Sequence, residues 1–125
     1  MASFRLAALM LMFAASGEAA LAQDLSRGNE AYRSGDYATA IREWLPLAER
    51  GEASAQFNLG VAYSKGRGVP QDFTLAYMWF DIATSLGFEK SEINRDLVAL
   101  AMTPEEISKG QQLARECIAK NYKGC

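Results

Sequence analysis

The stretch that decides the fold runs from Ala55 to Gly87, AQFNLGVAYSKGRGVPQDFTLAYMWFDIATSLG. Ala55, Leu59, Ala62 and Tyr63 recur at helical spacing, which gathers them on one side of a helix from about Glu52 to Lys65. Gly60, on that same side, leaves space for a neighbouring backbone to approach. The run then meets Gly66, Gly68 and Pro70. The glycines end the helix in a short loop, and the proline, which has no amide hydrogen to donate, prevents the helix from resuming. Asp72 stands where it caps a second helix, along which Phe73, Ala76, Tyr77, Trp79, Phe80 and Ala83 lead to Gly87. The punctuation is a connector between two helices. Read instead as a phosphate-cradling loop, SKGRGVPQD lacks both the Walker spacing and a preceding strand.

Upstream, the same unit occurs once more. A first helix from about Asp24 to Ser34 contains Gly28 and ends at Gly35, after which Asp36 caps a helix from about Tyr37 to Arg50 carrying Tyr37, Ala40, Ile41, Trp44, Leu47 and Ala48 on one stripe. Trp44 and Trp79 are 35 residues apart, as are Ala48 and Ala83, whereas Gly28 and Gly60 are 32 apart. The difference is the longer glycine-rich connector of the second pair. A third, divergent pair follows: a helix from about Glu89 to Ala101 with Ile93, Leu97 and Val98, then a helix opened by Thr103, Pro104 and Glu106 as a capping box, with Ile107, Gly110, Ala114, Cys117 and Ile118 on its inner side. Helix pairs repeating every thirty-odd residues define an all-α fold, a short α-solenoid of about three pairs and six helices, in which a divergent last pair acts as a cap. The expected divisions are residues 23–51, 52–87 and 88–125.

Ahead of the first helix, Arg5 precedes the apolar run Leu6 to Ala15, and Ala20-Leu21-Ala22 supplies small residues where a signal peptidase reads them. Residues 1–22 are expected to be a signal peptide, with Gln23 beginning the mature chain. The apolar run is only about half of the roughly 20 residues that span a bilayer, so no integral membrane segment is expected after cleavage.

Composition narrows the function. The 125 residues contain no histidine and two cysteines, with a formal net charge of -2. A zinc site of the usual ligands and histidine-based general-base chemistry are both excluded, and no metal or other cofactor is expected. Lysines and arginines are dispersed among acids, which argues against nucleic-acid binding. In an exported chain Cys117 and Cys125 read most simply as one disulfide tying the tail to the last helix; the alternative is two free thiols.

Ala55, Leu59, Gly60, Tyr63, Gly66, Gly68, Val69, Asp72, Ala76, Trp79, Ala83 and Gly87 fill every position of the pattern by which this stretch resembles the Sel1-like repeat family. The earlier GNEAYRSGDYATAIREW is closer to the related tetratricopeptide pattern, through Gly28, Gly35, Tyr37 and Ala40. The resemblance implies right-handed stacks of helix pairs whose inner groove binds a protein or peptide, in bacteria often in the envelope. A periplasmic or secreted, non-catalytic adaptor is the expectation. It also implies that Gly28, Gly35, Trp44, Leu59, Gly60, Tyr63, Gly66, Gly68, Asp72, Ala76, Trp79 and Ala83 hold the scaffold together.

By analogy with tetratricopeptide grooves, the first helix of each pair should offer the contacts. Asn29 and Arg33 on the first helix, and Asn58 and Lys65 on the third, lie four and seven residues apart and so share a side. Two amides and two cations suit a carboxylate or an acidic peptide segment, against the plainer alternative of a solvated face. Two rival functions exist. Some cysteine-rich exported relatives are associated with β-lactam binding and hydrolysis, but they carry cysteine pairs in successive repeats, and neither good repeat here contains one. A structural subunit that stacks on its own copies is the other. Intact-mass measurement of exported protein should show a chain lacking residues 1–22; the full-length mass in that fraction would refute the leader.

Overall fold

The computed structural model describes residues 25–125, and the expected cleavage after Ala22 lies outside them. The described residues form six helices and no strand: α1 (25–34), α2 (Tyr37–Glu49), α3 (Ala53–Lys65), α4 (Phe73–Ser85), α5 (Glu89–Ala99) and α6 (Pro104–Ala119). The helix ends follow from the capping residues read above. Asp36 and Asp72 accept hydrogen bonds from the amides of Thr39 and Leu75, and Thr103 and Glu106 form a reciprocal capping box.

The connector after α3 is tightly organised. Gly66 takes a left-handed conformation at φ 66°, the amides of Gly66 and Arg67 both donate to the Ala62 carbonyl, and the Asp72 amide donates to Tyr63. Gly68, at φ 78°, comes so close to α2 that a Cβ there would lie 2.7 Å from the Tyr37 carbonyl oxygen. Neither position admits a side chain without strain. Arg67, held between them, lies over the rings of Tyr32 and Tyr37, 5.6 and 5.4 Å from their centroids, and donates to the Tyr32 hydroxyl. The longer loop thus clasps the second pair to the turn of the first.

Within each good pair, a glycine of the first helix receives an aromatic ring of the second. Gly28 lies against Trp44, and a Cβ on Gly60 would meet the Phe80 ring at 2.5 Å. Trp79, the sequence counterpart of Trp44, instead enters the common core with Trp44, Leu47, Ala48, Leu59, Met78 and Ile82. Ala76 and Ala83 are fully buried beside it, and Tyr63 packs against the core edge.

The third pair departs from the first two. α5 and α6 both pack on α4 and scarcely on each other. Gly110 of α6 seats the Tyr77 ring, and Ala114 and Cys117 join the core, while Ile118, expected on the inner side, is exposed. Ile93 and Leu97 of α5 are likewise exposed, because α6 has gone to another face of α4. After α6 the chain turns through Asn121 and Tyr122, both at positive φ, and closes the Cys117–Cys125 disulfide. Tyr122 rests near Gly51, and the Lys123 ammonium donates to the Glu49 carbonyl, so the tail reaches the end of α2 as well as the last helix.

Replacing Gly60 by alanine should lower stability by about 1–3 kcal/mol, the usual penalty for overpacking a filled core. Adding Phe80→Leu should recover part of that loss, and a melt series on both variants checks the coupling. Strictly additive effects would show that the ring and the glycine do not share one space.

Candidate binding groove

α1, α3 and α5, the first helices of the pairs, flank two adjoining hollows. Asn29, Tyr32, Arg33, Trp44, Asn58 and Val61 line one of about 200 Å³. Val61, Ser64, Lys65, Phe80, Asn94, Leu97 and Val98 line the other, of about 320 Å³. Val61 belongs to both. The structure therefore brings Asn29, Arg33 and Asn58 to one hollow and places Lys65 in its neighbour.

Asn29 organises the first hollow. Its side-chain oxygen accepts from the Trp44 indole N–H at 3.1 Å and from the Asn58 amide at 3.0 Å, linking α1, α2 and α3 through one atom. That sharing fixes the amide orientation of both asparagines, because only an oxygen can accept both donors. Asn29 thus has a scaffold duty beside any ligand contact. Arg33 and Lys65 are exposed, and neither is paired with a carboxylate among the described residues. Among the described residues no acidic side chain lines either hollow, although the chain has 15 acids against 13 bases. The surroundings accordingly favour an anionic or amide-bearing ligand.

Electrostatics elsewhere maintain the frame. The hydrogen bond to the Tyr32 hydroxyl, and then the charge interactions with Tyr32 and Tyr37, raise the Arg67 guanidinium above its ordinary value. Burial, followed by the nearby Asp72 carboxylate, pushes the Tyr63 phenol up. Arg95 bridges Asp81 on α4 at 2.9 Å and also meets Asp96, fixing α5 on its neighbour. Among the described residues no three His, Cys, Asp or Glu side chains gather as a metal site, and no helix is long and apolar enough to cross a membrane. Both cysteines lie in the tail bridge, outside the two good repeats.

Sequence reasoning did not reach Tyr32, Val61, Phe80, Asn94, Leu97 or Val98 as groove residues. A signal existed for Asn94, whose amide sits on the first helix of the third pair as Asn29 and Asn58 do on theirs.

Paired helices stacked by recurrent glycine–aromatic contacts, with a groove along their first members, define a helical-repeat scaffold. Residues 53–88 match the Sel1 repeat family, so that stretch of the chain is a Sel1-like repeat. Its sequence is 37% identical over 51 residues to DAP3-binding cell death enhancer 1 of Rattus norvegicus, a stretch covering 41% of this chain and 10% of that protein. It is 32% identical over 74 residues to the alginate biosynthesis protein AlgK of Azotobacter vinelandii, covering 59% of this chain and 16% of AlgK. The crystal structure of c5321, a protective antigen of uropathogenic Escherichia coli strains with an SLR fold, superposes with a TM-score of 0.72 at 26% identity, over 82% of this chain and 24% of c5321. The chain thus spans between a tenth and a sixth of the length of these curated relatives.

Asn29→Leu should destabilise the fold by about 1–3 kcal/mol, because it strands the Trp44 and Asn58 donors. Asn29→Asp, which keeps an acceptor, should retain more of the stability. Equal losses in thermal melts would show that the shared oxygen carries no weight.

Proposed function

We propose that this chain is an exported, non-catalytic adaptor that holds an acidic segment of a partner protein in the groove across α1, α3 and α5. The observation that carries this reading is the charge of the groove. Arg33 and Lys65 face it, Asn29, Asn58 and Asn94 line it, and no carboxylate among the described residues does, in a chain that is acidic overall. Amides and cations together suit a peptide: the amides pair with its polar side chains or unpaired end groups, and the cations with side-chain or terminal carboxylates. Sel1-like repeats typically build protein-interaction scaffolds, and the protein-binding activity in the name of DAP3-binding cell death enhancer 1 supports a protein ligand here. The Cys117–Cys125 bridge and the leader read from residues 1–22 support an oxidising compartment, the periplasm or the exterior of a bacterial cell.

Crosslinking in the native envelope supplies the partner, and titration against it tests the groove. The double variant Arg33→Ala, Lys65→Ala should melt within about 0.5 kcal/mol of the parent, since both side chains are exposed. Its affinity should fall, and binding by the parent should weaken with salt as the charges are screened. Unchanged affinity without salt dependence would place the partner on another surface.

A further inference from the structure

The face of α5 that α6 leaves uncovered has the most exposed run of large apolar side chains among the described residues. Ile93, Leu97 and Leu100 stand four and three residues apart at 64%, 58% and 85% exposure, a ridge about 10 Å long on one side of the helix. α1 meets α2 through Gly28, Asn29 and Trp44, and α3 packs on α4; among the described residues α5 has no such companion from its own pair, since α6 packs on α4. A helix therefore fits the vacant position. Leu97 also lines the hollow between α3 and α5, where Val61, Phe80 and Val98 form an apolar wall and Lys65 stands at the edge. Ridge and hollow are continuous through that one residue.

Charge identifies which helix fits. Lys65 borders the groove side of the ridge, whereas Glu92, and Asp96 in its pair with Arg95, each one residue before a ridge position, border the opposite side. An occupant matches this surface when carboxylates flank its apolar stripe on the groove side and are absent from the other. A second copy matches poorly in the antiparallel arrangement, which sets the Glu92 and Asp96 rows of the two molecules against each other.

We propose that α5, with the adjoining hollow, docks an amphipathic helix of a partner protein, its apolar stripe on Ile93, Leu97 and Leu100 and its carboxylates over Lys65. Such helix-in-groove recognition reads anchors at three- and four-residue spacing. The inference rests on the groove reading above and specifies the conformation and chemistry of the segment bound there.

Two synthetic peptides test it by fluorescence anisotropy on the full mature chain. Both contain the same leucines, glutamates and lysines over about 18 residues, long enough for several turns. One sets leucine at helical period with glutamate along one flank, and the other scrambles that order. The periodic peptide should bind at least about tenfold more tightly, the equivalent of burying one leucine side chain. Leu97→Asp should erase the preference, with Ile93→Asp as a second ridge variant and circular dichroism confirming the fold of each, and Lys65→Ala should weaken the periodic peptide alone. Equal binding of the two peptides that falls in Arg33→Ala would overturn the helix while leaving the groove reading in place. Binding of neither would count against both. A dimer in sedimentation analysis that Leu97→Asp dissolves would assign the ridge to a second copy and overturn the proposal.

Discussion

The arrangement depends on places where a side chain is missing. Gly28, Gly60 and Gly110 each meet an aromatic ring at a distance that no Cβ tolerates, and the rings come from Trp44, Phe80 and Tyr77. A flat ring laid against bare helix backbone lets two helix axes approach closely while burying a large apolar surface, and burial of that kind is the main favourable contribution to folding. The alanines at 40, 48, 55, 62, 76, 83 and 114, all essentially inaccessible, extend the same close approach along the stack. Small residues set the spacing between helices, and aromatic residues fill what remains.

From that spacing the groove follows. Once Trp44 lies on Gly28, its indole N–H is brought to the Asn29 oxygen, which also receives the Asn58 amide. The polar floor of the first hollow is thus a by-product of core packing. The second hollow has a more apolar floor because Phe80, seated on Gly60, shows there beside Val61. Two repeats built on one plan present different chemistry to a ligand, and the difference lies in which aromatic residue occupies the glycine.

The helices were legible because their boundaries are written in residues with few other uses: Gly35, Asp36, Gly66, Asp72 and the Thr103–Glu106 box. Side-chain periodicity also indicated which faces are apolar. It did not indicate which neighbour covers them, so the seating of α6 on α4 and the exposure of Ile93 and Leu97 emerged only from the tertiary structure. Phe80 escaped for a related reason. Residues 76–80 are all buried, and a period alone cannot choose between adjacent rings for the space above Gly60. The clasp of Arg67 over Tyr32 and Tyr37 joins residues about a repeat apart, beyond any local pattern. Asn29, Arg33, Asn58 and Lys65 could be gathered by spacing because each pair shares one helix, while the hydrogen bond between the two asparagines could not.

A repeat array ordinarily couples each unit only to the next, so its ends fray independently and its unfolding spreads over a range of conditions. Here the tail beyond α6 bypasses the middle of the stack. Lys123 holds the Glu49 carbonyl across 74 residues of chain, Tyr122 sits by Gly51, and the disulfide anchors both to Cys117 in the core. Loss of the last helix then also removes support from the first pair. The connection makes a linear architecture behave like a closed one, with a sharper transition than its repeat count alone would produce. Reducing the bridge would restore the looser, segment-by-segment character of an open array.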